Sequence, residues 1–73
     1  MKENGFGQLL KFWRGVHSLS QEALALSLDS STRHISCLEN GKARPSRPMI
    51  ENITRVLSLG ERDGCHLLLA GGF

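Results

Sequence analysis

The side chains best equipped for covalent or metal chemistry are His34 and Cys37, one helical turn apart, and the adjacent pair Cys65-His66. Imidazole beside thiol suggests either a metal site or an activated nucleophile. Structural zinc sites favour other spacings, notably paired cysteines two to four residues apart. A thiol nucleophile needs a third group to orient its base, and a cleft to work in. A chain of 73 residues supplies neither. No metal ligand, cofactor site or catalytic residue is therefore expected. With nothing resembling a secretory signal in the sequence, the two cysteines read as free thiols.

A second set of side chains suits recognition. Thr32, Arg33 and Ser36 are hydrogen-bonding groups within one short stretch, and Arg33, Lys42, Arg44 and Arg47 face only one acid, Glu39, between Ser31 and Arg47. Glu51, Glu61 and Asp63 gather in the last third. The formal net charge of +2 permits a polyanionic partner without demanding one.

The elements that must position these groups are helices. At this length one domain, residues 1–73, is expected, burying only roughly 60% of the surface of the unfolded chain. Apolar residues make up 40% of it, with no run long enough to span a membrane. A cytoplasmic protein is expected.

Five helices fit the apolar spacing. The first runs from about Phe6 to His17 with Asn4 as N-cap; Phe6, Leu10 and Trp13 share a face, with Leu9 and Val16 as further members. Ser20 caps a second, whose inner face is Leu24, Ala25 and Leu28. After Asp29-Ser30, a third runs from about Ser31 to Glu39 with Ile35 and Leu38 inward. Asn40-Gly41 stops it, both residues tolerating the left-handed conformation. Lys42 to Pro45 is a basic loop. Ser46 caps a fourth helix with Pro48 in its first turn and Ile50, Ile53, Val56 and Leu57 inward, and Gly60 ends it. Glu61 to Ala70 forms a fifth with Cys65, Leu68 and Leu69 packed, stopped by Gly71-Gly72.

The second and third helices, about residues 20–39, form the informative unit. Two helices joined by so short a turn cross at about 90–120°, which needs a small residue at the approach and apolar residues to lock the angle. Ala25 is the small residue; Leu24, Leu28, Ile35 and Leu38 are the lock. Such a crossing leaves the outer face of the third helix, with Thr32, Arg33, Ser36 and Cys37, free to enter a DNA major groove.

The run Leu19-Ser20-Gln21-Glu22-Ala23-Leu24-Ala25, followed by Ile35-Ser36-Cys37-Leu38-Glu39-Asn40-Gly41, resembles the phage-repressor and Cro-like helix-turn-helix proteins, the XRE family. The resemblance extends over nearly the whole chain. It implies an all-α, compact five-helix bundle of the lambda-repressor type, and a DNA-binding transcriptional regulator, usually a repressor, from a bacterium or phage, that binds a double-stranded operator as a homodimer. Leu67 to Phe73 is similar to a subgroup of bacterial regulators in which a ligand-sensing domain follows; an effector would belong there.

Residue roles follow from the same resemblance. Gln21 matches a glutamine that holds a DNA phosphate. Thr32 and Arg33 match positions that reach base edges, with Cys37 a turn further on and Ser36 beside it. Asn40, Lys42 and Arg44 match a second phosphate clamp, Gly41 lets the backbone approach closely, and His34 offers a further phosphate contact. Arg14 and Glu39 match a pair bridging the first helix to the end of the third. The sequence departs from the pattern at Ser18 and Asp29, where glycine is common, and at Ser30, where valine often plugs the two helices. The competing expectation is a protein-interaction or antitoxin-type module on the same fold, which an apolar recognition face would favour.

Overall fold

The computed structural model describes residues 5–73, so the Asn4 cap lies outside the described residues. Five helices follow in order: α1 (Gly5–Val16), α2 (Gln21–Ser27), α3 (Thr32–Glu39), α4 (Arg47–Val56) and α5 (Glu61–Ala70). No strand occurs among the described residues.

Serine starts three of them. Ser20, Ser31 and Ser46 have extended backbones, and each hydroxyl oxygen accepts the N–H three residues on, from Ala23 at 3.0 Å, His34 at 3.1 Å and Met49 at 3.2 Å. Such caps contribute about 0.5–2 kcal/mol each. Gly60 precedes α5 without a side-chain cap, and Glu61 and Asp63 place negative charge at the positive end of that helix instead.

All five helices end in one way. A residue with positive φ follows each: Ser18 (55°), Asp29 (56°), Gly41 (75°), Ser58 (53°) and Gly72 (94°). In every case the next residue's N–H reaches back to the carbonyl five residues earlier: Leu19 to Arg14, Ser30 to Ala25, Lys42 to Cys37, Leu59 to Thr54 and Phe73 to Leu68, at 2.8–3.0 Å. This is the Schellman closure, which satisfies carbonyls that a helix end leaves open. One sequence expectation is corrected by it and one is made specific. Ser58, not Gly60, closes α4, because the left-handed turn comes directly after the helix. Only Gly41 of Asn40-Gly41 is left-handed, since Asn40 has φ −96°.

The core is Phe6, Leu10, Leu24, Ala25, Ile35, Leu38, Ile50, Ile53, Leu57 and Leu67. Each large member stabilises the fold by about 1.5–3 kcal/mol relative to exposure. Leu9, Trp13, Leu28, Val56 and Leu68 pack against it partly buried, whereas Val16, expected inside, is 55% exposed near the end of α1.

Helix α5 also departs from expectation. Cys65 and Leu69 face solvent, and Gly64 and Leu67 take the inner face. The cause is close approach to α4. A Cβ at Gly64 would lie 2.9 Å from Thr54 Cγ2, and one at Gly71 would lie 2.7 Å from Ile50 Cδ1 and 3.2 Å from Pro45 Cγ. Two glycines seven residues apart therefore let α5 lie against its neighbour, and this sets its rotation.

Candidate nucleic-acid interface

The site is built on the α2–α3 crossing. Ala25 and Leu24 of α2 are buried against Ile35 and Leu38 of α3, and the Ser30 N–H donates to Ala25 O at 2.8 Å. Asp29 turns the chain through a left-handed conformation where glycine was the common choice. An aspartate accepts this at some cost, because its short polar side chain tolerates the region better than a branched one.

Behind the crossing lies a polar cluster. Glu39, the last residue of α3, is buried, with its side chain only 3% exposed. Its carboxylate accepts hydrogen bonds from Arg14 Nε at 2.6 Å, Arg14 Nη2 at 3.2 Å and Gln21 Nε2 at 3.0 Å. Arg14 Nη1 also donates to Leu19 O at 2.8 Å. One carboxylate thus joins α1, the first residue of α2 and the end of α3, and the planar guanidinium fork restricts how they can rotate. The structure brings together Arg14 and Glu39, which sequence reasoning paired. It adds Gln21, which was read only as a phosphate ligand. Gln21 and Glu39 are 18 positions apart, and no local spacing signals a bond over that distance.

The outward side of α3 carries the remaining candidates. Thr32 and Arg33 are exposed in its first turn, and His34, Ser36 and Cys37 are half-buried. Asn40, Lys42 and Arg44 are exposed just after it, and Asn40 Nδ2 donates to Ser36 Oγ at 3.4 Å, joining two of the candidates. Among the described residues Arg33, Lys42 and Arg44 form no ion pair, whereas Arg47 bonds Glu51 at 3.3 Å. Three cations without acidic partners around one short polar helix make an anion-seeking surface.

A helix-turn-helix family model matches residues 10–63, from Leu10 in α1 to Asp63 in α5. The chain belongs to the XRE-type helix-turn-helix family. This is a family of DNA-binding transcriptional regulators acting on double-stranded DNA. Comparison with curated proteins and with solved structures found no match. In this helix-turn-helix the match takes in all of α2, α3 and α4 and both members of the Arg14–Glu39 pair. Among the described residues no three His, Cys, Asp or Glu side chains converge on one point, and no helix is long and apolar enough to cross a membrane. Both cysteines are free thiols.

Proposed function

We propose that the chain is a sequence-specific regulator of transcription, a repressor, that places α3 in the major groove of double-stranded DNA. In this reading Thr32, Arg33, Ser36 and Cys37 meet base edges. Arg33 carries most of the discrimination, because a guanidinium presents two donors to guanine O6 and N7, worth about 1–3 kcal/mol against the wrong base. Gln21, His34, Asn40, Lys42 and Arg44 hold backbone phosphates, with Gly41 admitting close approach of the main chain. The observation that carries the reading is the polar outer face of α3, with Thr32 and Arg33 exposed and with no ion pair on Arg33, Lys42 or Arg44 among the described residues, presented on a crossing packed around Ala25 and braced by Arg14 and Glu39.

Residues 1–73 act as one reading module with no catalytic role and no cofactor, working in the cytoplasm on the nucleoid. Two copies bind one operator, since a single short helix reads too few base pairs for useful affinity and half-sites repeat about one helical turn apart. Occupying a promoter in this way blocks polymerase, which makes repression the expected outcome.

The protein-interaction alternative is disfavoured by where the exposed large apolar residues lie. Phe12, Val16, Leu26, Leu69 and Phe73 all lie outside α3. Selection of bound fragments from random duplexes, followed by comparison of wild type with Arg33→Ala, tests the reading. A relaxed preference at one base pair of each half-site supports it; a uniform loss over all sequences contradicts the base-reading role.

A further inference from the structure

The orientation of the Gln21 amide follows from the Glu39 carboxylate. A primary amide has two N–H donors on nitrogen and acceptor capacity on oxygen, and a glutamine on a surface can present either end. Here Nε2 donates to Glu39 Oε1 at 3.0 Å. A buried carboxylate accepts and cannot donate, so it selects the nitrogen, leaving the second N–H of Nε2 unspent.

We propose that Glu39 is a positioning residue for the phosphate clamp: by accepting one hydrogen of Gln21 Nε2, it fixes the amide so that the other points to a DNA phosphate. A phosphodiester offers only acceptors, so an amide turned oxygen-first would repel it. Arg14 is the other half of the device. Its guanidinium neutralises Glu39 through two hydrogen bonds, so that the amide is oriented without an unpaired negative charge standing behind a phosphate. Glu39 thereby links the hold on the backbone to the helix that reads bases, because it is the last residue of α3. The inference rests on the DNA-binding reading above, with Gln21 at a phosphate, and specifies what orients that contact.

The first measurement uses the unaltered chain. Side-chain amide resonances of Gln21 are followed by NMR while a mixed-sequence duplex is added. The expected result is that one Hε2 proton shifts strongly and its partner, held by Glu39, stays in place. Movement of both protons, or of neither, overturns the proposal.

The second is a binding cycle. Gln21→Ala should weaken duplex binding about tenfold, the scale of a hydrogen bond to a charged group. The slope of affinity against salt should stay unchanged, because no cation is removed. In a chain also carrying Arg14→Met and Glu39→Met, a paired replacement that such sites often tolerate, Gln21→Ala should cost less than about twofold. Equal losses in the two backgrounds overturn the positioning role. If Lys42→Ala weakens binding while Gln21→Ala does not, the positioning role fails and DNA binding stands. If the unaltered chain shows no salt-sensitive affinity for any duplex, both readings fail together.

Discussion

Gly64 of α5 lies against Thr54 of α4 with so little room that a single added methyl would sit 2.9 Å from Thr54 Cγ2. Thr54 cannot easily yield, because its branched side chain is held by a hydrogen bond from Oγ1 to Ile50 O at 2.9 Å. Gly64→Ala is therefore expected to lower stability by about 1–2 kcal/mol, overpacking outweighing the gain in helix propensity. Gly15 near the end of α1 has open space where its Cβ would be, so Gly15→Ala should raise stability by about 0.5–1 kcal/mol. Opposite signs in urea denaturation support this account of the α4–α5 contact, and two gains would refute it.

The helix ends give a second prediction. Ser18, Asp29 and Ser58 adopt positive φ without being glycine, and each such residue costs about 1–2 kcal/mol. Glycine at any of the three should raise stability by about 1 kcal/mol, a shift of about 4–8 °C in Tm for a domain of this size. The three sites close different helices, and their effects should add to within about 0.5 kcal/mol. A thermal melt of the triple variant no higher than that of the best single one would show that these turns carry no strain.

Burial makes Arg14 and Glu39 unequal to a surface pair. Arg14→Ala removes two charge-assisted hydrogen bonds from a carboxylate that is 3% exposed and should cost about 3–5 kcal/mol, a large part of the total stability of so small a domain. Replacing both residues by methionine should cost far less. Denaturant midpoints that fall equally for the single and double variants would place the value of the site in the charges themselves rather than in their mutual satisfaction.

Salt dependence separates the two classes of contact. Lys42 and Arg44 are exposed and unpaired among the described residues. Each phosphate they neutralise should steepen the log–log salt slope by about 0.9. Lys42→Ala combined with Arg44→Ala should flatten it by about 1.8 while leaving the preferred sequence unchanged. Titrations at several salt concentrations on a selected and a random duplex measure both quantities. A changed sequence preference would move these two residues from the backbone to the bases.

Local signals are legible in the sequence because they are written within one turn of the chain. Ser20 and Ser46 precede apolar-periodic runs and become caps, and Asp29 stands where glycine is usual and takes the left-handed conformation that glycine would. The short turn, the small Ala25 and the apolar lock around it lie close enough in sequence to be recognised together. The Arg14–Glu39 contact came from the family resemblance, since no local spacing joins α1 to α3.

Sequence alone thus determined the number of helices, where four of them begin and the crossing of α2 with α3, because capping and periodicity act over three to five residues. Tertiary structure decided which faces of the later helices turn inward: Gly64 and Leu67 replaced Cys65 and Leu69, since close approach to Thr54 and Ile50 outweighed the apolar count of α5 itself. It also decided the bond between Gln21 and Glu39. A buried carboxylate takes whatever donors the packed helices bring within 3 Å or so, and which donors arrive depends on the arrangement of α1, α2 and α3 together.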